Sequence, residues 1–525
     1  MFAGLTSARG RGTPTDMVRP HRSPSRIHVL LAALFTISSA GCSTPPRPTL
    51  PPTYALAAPE AGPLIDLEAR CTEGADLSAS ALTLLSESED ALRWRLALVD
   101  SAVRSIDVQT YIWQSDEVGL LLVQRLLAAA DRGVRVRLLV DDFRAAPNDQ
   151  GIAEIAQHPS VEIRIFNPWS RRSVGRGLEF LARMSELNSR MHNKVIVADD
   201  VAAISGGRNI GNEYFGLSDR FNFDDLDVLA IGPVARELSD AFDYYWNSNW
   251  VVHPPATANA SAAELATFSE ALWTRLEANE RLHAFRVRPH AWAEEFESLL
   301  PRLVLAPCDV VYDRLIESEV SLETAYGLRD FFAAATRELL VSNAYLVPSE
   351  PFYNAVEALT SEGVRVALLT NSLGSTDAAI VNSAYQRTRV PLLRSGAELY
   401  ELRHDAEDAA TINTAPVTAE FVGLHTKAAV VDRRKVFIGS FNLSPRSFSF
   451  NTEMGLFIDS PELGERIARL IERRMNESNA WTVELNDGSL QWRSGETIHQ
   501  RQPARSFYQR FENGFFSILP VRDQV

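Results

Sequence analysis

Apolar and polar positions alternate along Ser105–Ile112, and they do so again along Glu338–Leu346. A period of two predicts a strand in each place. Arg132–Asp142 and Glu362–Ser372 each follow a helical stretch that ends at its glycine, and each predicts a further strand. Val161–Phe166 then answers Ala397–Leu402, Lys194–Ala198 answers Lys427–Val431, and Ala202–Ser205 answers Val436–Ile438. Helical periodicity returns near Val234–Trp246 and near Leu463–Arg474. The two series keep one order, at offsets between 228 and 236 residues. Strands interleaved with helices predict an α/β domain, and the repeated series predicts that it is duplicated.

The length of 525 residues suits two such domains. The expected organisation is a signal segment (1–42), a Pro/Ala-rich tether (43–80), a first α/β domain (81–255), a helical connector (256–300), a second α/β domain (301–480) and an aromatic extension (481–525). An apolar fraction of 46% and a charged fraction of 23% are those of a folded globular chain. Net charge is −15, and it becomes −19 once the five arginines and one aspartate of Met1–Gly41 are removed. So acidic a body repels polyphosphate at long range, which argues against nucleic acid as a partner.

The N-terminus reads as an export signal: Arg19, Arg22 and Arg26 precede the apolar run Val29–Ile37, and small residues lead into Cys42. Ala40-Gly41-Cys42 resembles a bacterial lipobox, although Ser39 stands where Leu is preferred. Lipidation at Cys42, with Ser43 after it, implies an anchor in a Gram-negative envelope, at the outer membrane facing the periplasm. An ordinary cleaved signal or an uncleaved anchor is the alternative, and Met17 is a second candidate start. Pro45–Pro63 lacks any period and reads as a tether. Cys71 and Cys308 are the other cysteines, and in an oxidising compartment they are candidates to pair.

Chemistry enters with the scarcest residues. The chain holds three lysines against 49 arginines, and two of the three fall in one eighteen-position pattern that occurs twice. It reads His192-x-Lys194-x4-Asp199-x6-Gly206-x2-Asn209, and again His425-x-Lys427-x4-Asp432-x6-Gly439-x2-Asn442. A spacing of two on a strand puts imidazole and ammonium on the same face. Asn209 and Asn442, after the next strand, can return to the same end of the sheet. Lysine offers a compact positive charge to a phosphate oxygen, and asparagine adds a neutral donor. One copy therefore makes half of a phosphate site. Two copies about a pseudo-twofold axis would set two imidazoles on opposite sides of one phosphorus, suited to in-line displacement. The lysines and asparagines would stabilise the phosphoryl oxygens where other phosphotransferases use a metal, so neither metal nor cofactor is expected.

These paired signatures resemble those of the phospholipase D superfamily, and the match runs from about Leu82 to Trp481. Phe223–Pro233 together with Phe242–Asn247 is similar to the bacterial cardiolipin synthase C type. The resemblance implies duplicated phospholipase D-like α/β/α domains packed about a pseudo-twofold axis, with the active site at their interface. It implies a covalent phosphatidyl-histidine intermediate, with His192 as nucleophile and His425 as acid and then base. It also implies a carboxylate downstream of each motif, crossing between halves: Asp225 for His425 and Glu453 for His192, with Asp227 a competitor for Asp225. Asp199 and Asp432 are expected to brace the motif strands.

The substrate is less defined. Arg171, Arg172, Arg176, Arg183 and Arg190 precede the first motif and are candidates to meet lipid headgroups. His404–Gly423 precedes the second and reads as a mobile cover. Trp492, Phe507, Tyr508, Phe511, Phe515 and Phe516 crowd the tail and are expected to pack on the core, with membrane contact the alternative. The reading is a phosphatidyltransferase, a cardiolipin synthase, acting at a phospholipid membrane. The alternatives are a hydrolase of the same fold acting on phospholipid or, with less support, nucleic acid, and a non-catalytic phospholipid-binding protein. A single chain can form a complete site, and the oligomeric state is left open.

Overall fold

In the computed structural model the described residues are 49–518, apart from 75, 77, 146–148, 170–186, 255–261 and 317–318. The signal segment with Cys42, and Arg171, Arg172, Arg176 and Arg183, lie outside them.

Two series of strands carry the fold. The first is β1 (Ala79–Leu85), β2 (Ser105–Thr110), β3 (Arg135–Asp141), β4 (Val161–Phe166), β5 (Val195–Ala198), β6 (Ala202–Gly206), β7 (Phe221–Asp224), β8 (Asp227–Ile231) and β9 (Val251–Val252). The second begins with β10 (Val304–Tyr312) and the short hairpin β11 (Leu315–Ile316) and β12 (Glu319–Val320). It continues through β13 (Glu338–Asn343), β14 (Arg365–Asn371), β15 (Glu398–Leu402), β16 (Phe421–Leu424), β17 (Lys427–Val431), β18 (Lys435–Gly439) and β19 (Met454–Asp459). Three strands close it: β20 (Ala480–Asn486), β21 (Ser489–Ser494) and β22 (Thr497–His499).

In space the first sheet runs β1-β8-β6-β5-β2-β3-β4-β9. The second runs β10-β19-β18-β17-β13-β14-β15-β20, the same order strand for strand. β1 pairs antiparallel with β10 and joins them. The duplication expected from the offsets is therefore a duplication of topology.

Helices α1 (Pro63–Cys71), α2 (Ser88–Ser101) and α3 (Glu117–Asp131) belong to the first half, with α4 (Pro233–Trp246) after its last long strand. Alternation along β2 sends Ile106 and Val108 into an outer core with α2 and α3. The opposite face is ionic: Asp107 holds Arg137 at 2.6 Å, and Arg137 also reaches Asp243 of α4 at 2.7 Å. The connector contributes α5 (Ala262–Glu277), whose Trp273 and Leu276 join that same outer core, so it packs as part of the first half. In the second half, α6 (Pro461–Met475) starts where Ser460 accepts from Leu463 N–H and buries Leu463, Ile467, Ile471 and Met475 at a spacing of four. Phe242 and Leu238 of α4 and Ile467 of α6 meet in one central cluster with Val195, Val430 and Leu456. The two halves share a core.

Several expectations change. The stretch read as a tether is docked from Pro51 onward: Arg164 donates to Pro51 O, Arg137 to Thr53 O, and Ala55 N–H to Asp243. Buried guanidiniums need acceptors, and an extended segment leaves its carbonyls available. His404–Gly423 is a bracket more than a cover, since Thr414 N–H donates to Gly216 O, Glu420 N–H to Asp219 O, and β16 pairs parallel with β7. Arg190 is buried on Asp141 at 3.2 Å, turned away from any headgroup role. Cys71 and Cys308 are both free thiols. In the tail, Trp492 is buried and donates to Glu401 as expected. The last helix, α7 (Phe507–Ile518), does the reverse and leaves Phe507, Tyr508, Phe511 and Phe515 exposed, because Gln509 and Asn513 occupy its inner face.

Candidate active site

The motif strands are β5 and β17. Each turns into its neighbour through two left-handed residues, Asp199 and Asp200 at φ 55° and 59°, and Asp432 and Arg433 at φ 53° and 55°. Aspartate tolerates that region better than most residues. The Asp199 carboxylate accepts from the backbone N–H of Val103, Arg104 and Ser105 at 2.9, 2.7 and 3.0 Å. Asp432 does the same for Thr336, Arg337 and Glu338. Both pin the start of the adjacent strand, at the end of the motif strand away from the histidine.

The histidines are seated by the opposite half. His192 N–H donates to Thr452 O at 2.9 Å, which brings the next residue, Glu453, onto the imidazole: Oε2 lies 2.9 Å from Nδ1. His425 N–H donates to Asp224 O at 2.8 Å, and again the next residue, Asp225, meets the ring, Oδ2 to Nδ1 at 2.6 Å. One construction is used twice, and it crosses between halves each time. A carboxylate on Nδ1 assigns the proton there and leaves Nε2 free to react. Asp227, the competitor, is engaged elsewhere by Arg95 at 2.9 Å and Arg208 at 3.1 Å.

The lysines fold back beside their own histidines, with Lys194 Nζ donating to His192 O and Lys427 Nζ to His425 O. Lys194 stands 5.5 Å from the Tyr111 ring and Lys427 5.9 Å from the Tyr345 ring. Tyr111 and Tyr345 occupy matching places in the two halves, and each sets an edge against its histidine, at 5.0 and 6.4 Å between centroids. Tyr111 lies near the end of the stretch Ser105–Ile112 and Tyr345 near the end of Glu338–Leu346, and nothing in the sequence placed them against the imidazoles. Tyr214 and Phe223 complete the wall around His425 at 5.2 and 4.8 Å. The Asn209 amide oxygen accepts from Ile112 N–H at 3.2 Å. The Asn442 amide oxygen is buried with no hydrogen-bond partner.

Burial decides the charge states. Burial pushes His192 down to about 4 against the pull of Glu453, and His425 down to about 3, with Lys427 pushing the same way. Burial also lowers Lys194 to about 7 and Lys427 to about 8. Burial alone would raise Asp225, but His425, Lys427 and Arg208 outweigh it and hold it below the usual carboxylate range. Glu453 is lowered in the same manner by His192, Lys194 and Ser440. The unliganded site thus holds two neutral imidazoles on two anionic carboxylates, next to ammonium groups that lose protons easily. Each imidazole also feels the lysine of the other half.

The copies differ in how their carboxylates are held. Ser440 donates to Glu453, as does Ser447 at 2.7 Å. The matching residue in the first copy is Gly207, where a Cβ would stand 2.1 Å from Asp225 Oδ1. Asp313, which the sequence did not single out, accepts from Glu453 N–H at 2.9 Å beneath the site.

A family model described as "Cardiolipin synthase, PLD-like domain" matches residues 96–246 and 328–475. Cardiolipin synthase C of Escherichia coli (strain K12) is 36% identical over 459 residues, which are 83% of this chain and 94% of that protein. An uncharacterized protein of Helicobacter pylori (strain J99 / ATCC 700824) is 31% identical across 85% of this chain and 89% of its own. Among solved structures, phosphatidylserine synthase of Haemophilus influenzae Rd KW20 superposes with a TM-score of 0.53 at 16% identity, covering 80% of this chain and 91% of that one. That likeness concerns the fold.

Proposed function

The chain belongs to the cardiolipin synthase family of phospholipase D-like proteins, and on that premise we propose that it is a phosphatidyltransferase that joins two phospholipids into cardiolipin. The observation that carries the reading is the pair of imidazoles, each held at Nδ1 by a carboxylate of the other half.

His192 Nε2 attacks the phosphorus of the donor phospholipid while the bond from phosphorus to the headgroup oxygen breaks. His425 gives that oxygen its proton, and a small alcohol leaves. His425, now neutral, takes the proton of a hydroxyl on the acceptor phospholipid; that oxygen displaces His192 from phosphorus and cardiolipin forms. The proton that His425 donates is absent from most of the empty protein at neutral pH. An anionic phosphodiester between the imidazoles favours its uptake, so the substrate arms its own acid. Lys194, Lys427, Asn209 and Asn442 stabilise the charge on the phosphoryl oxygens. Transfer is favoured over hydrolysis by the likeness to a cardiolipin synthase across most of the chain.

The chain acts at a phospholipid membrane in this reading, anchored through Cys42 in a Gram-negative envelope. None of the helices among the described residues is long and apolar enough to cross a membrane. The test is lipid mass spectrometry in cells lacking other cardiolipin synthases. Cardiolipin should appear with the wild-type chain and vanish with His192→Ala or His425→Ala. Phosphatidic acid rising without cardiolipin would overturn transfer in favour of hydrolysis, and full activity of either variant would remove the histidine mechanism.

A further inference from the structure

Helix α7 is turned inside out for a helix in water. Its polar Gln509 and Asn513 are buried, at 6% and 3% exposure, and they fix its orientation: Gln509 donates to Leu373 O, and Asn513 to Gln386 at 3.3 Å. Its large apolar side chains face outward on a single stripe, Phe507 at 84% exposure, Phe511 at 64%, Phe515 at 54% and Ile518 at 82%, with Tyr508 beside them. Rolling the helix to hide the stripe would break both amide contacts and bury nothing polar in exchange. Five large apolar groups in twelve residues exceed the scattered exposure that a soluble surface normally shows.

Charge supports one kind of cover. Residues 501–518 carry Arg501, Arg505 and Arg510 against a single acid, Glu512, in a chain whose net charge is −15. Arg387, also exposed, donates to Ser517 O at the far end of the same helix. An aromatic stripe edged by arginines is what the headgroup region of an anionic bilayer accommodates, with the rings at the acyl boundary and the cations at the phosphates.

Position supports it too. Arg505 donates to Thr376 O, and the next residue, Asp377, accepts from the Tyr345 hydroxyl at 2.9 Å. Tyr345 is the ring set on edge against His425. The stripe is therefore mounted on the wall of the reactive site.

We propose that the outer face of α7 is a membrane-docking surface, seating Phe507, Phe511, Phe515 and Ile518 in a bilayer that contains anionic phospholipid and bringing the mouth of the site onto the lipid surface. This rests on the transfer between phospholipids proposed above, and it explains why the aromatic face points away from the core. A helix of twelve residues, about 18 Å long, lies along an interface and does not cross it.

The experiment uses the mature chain from residue 42 onward with Cys42→Ala, so that neither a lipid nor the apolar segment Val29–Ile37 masks partition, with and without Phe507→Ser/Phe511→Ser/Phe515→Ser. Three quantities are read: sedimentation with phosphatidylglycerol/phosphatidylcholine vesicles, turnover of vesicular phosphatidylglycerol, and turnover of monomeric dihexanoyl phosphatidylglycerol. The triple variant should lose at least about 10-fold in vesicle partition and vesicle turnover, keep monomer turnover within about two-fold, and keep its melting temperature. Phe511→Trp, which preserves an aromatic, should bind vesicles like the parent. Unchanged partition overturns the proposal. So does an equal loss on monomers and vesicles, or a parent that is dimeric in solution while the triple variant is monomeric with vesicle binding intact, which would assign the stripe to a second copy. If the parent turns over neither lipid, the proposed transfer fails, while the partition measurement still decides the docking surface.

Discussion

Glu453→Gln keeps the shape of the side chain and removes its charge, which makes it the sharpest probe of the crossed pairs. Glu453 is fully buried and accepts from His192 Nδ1 at 2.9 Å and from the hydroxyls of Ser440 and Ser447. A hydrogen bond to an ionised partner contributes about 1.5–3 kcal/mol, so its loss corresponds to roughly 10- to 150-fold in the step that needs it. That step is attack on phosphorus, where His192 becomes positively charged and the carboxylate stabilises it. The amide can also turn its NH2 toward the imidazole, which would favour the wrong tautomer and deepen the loss. Stability should fall as well, because the carboxylate accepts from three donors beside Lys194 and an amide NH2 in its place cannot. The assay is rapid-quench measurement of the covalent phosphatidyl-protein, made on the folded fraction. Its rate of formation should fall at least about 10-fold. A variant that forms the adduct at more than a third of the parental rate would refute the role of the carboxylate.

Asp227→Asn should act through stability. It strips the counter-charge from Arg95 and Arg208, at about 3–5 kcal/mol for a broken buried pair, and it should lower the melting temperature while the folded fraction keeps its kcat; Asp225→Asn should lower kcat first, and the opposite ranking would exchange the roles of the two aspartates. Gly207→Ala places a methyl against Asp225 and should cut turnover at least about 10-fold without touching Glu453, as a pH profile confined to a His425 defect would show. Lys194 near 7 and Lys427 near 8 predict that kcat/KM, which reports the empty protein, declines on the alkaline side from about pH 7–8; kcat should decline only at higher pH, because bound phosphate favours the ammonium forms, and coincident limbs would contradict this. His192 takes up a proton near 6.5 when unfolded and near 4 when folded, so stability present above 6.5 falls as pH drops between those values, by about 3 kcal/mol for that residue, and denaturant titrations across the window measure it.

The duplication was legible because alternation in strands such as Ser105–Ile112 and Glu338–Leu346 survives in both copies, and because lysine is too rare here to recur by composition. The crossed carboxylates were not legible from spacing. Whether Asp225 or Asp227 reaches an imidazole depends on which of them follows the residue that the opposite strand bonds, and that is fixed by the pairing of β16 with β7. Resemblance to a family supplied the crossing before the backbone explained it. Asp107 and Arg137 hid another feature: alternation reads their face as solvent, whereas it is an ionic layer under α4. α7 misled for the same reason in reverse, since its aromatics read as core and its amides hold that place.

The difference between Gly207 and Ser440 bears on which histidine is the nucleophile. An imidazole bonded to phosphorus carries positive charge for the lifetime of the intermediate, so its carboxylate must stay charged and fixed throughout. Glu453 is held for that task, with two hydroxyls from Ser440 and Ser447 in addition to His192. Asp225 has Leu226 N–H and His425, and the glycine packed against it offers no hydroxyl to fix the carboxylate as His425 gains and loses its proton. A rigid acceptor suits covalent catalysis, and a yielding one suits a proton shuttle. By that argument the two hydroxyls on Glu453 favour the proposed attack by His192 and proton transfer by His425. Exchanging the two residues, Gly207→Ser with Ser440→Gly, should impair both steps because neither carboxylate would then match its task.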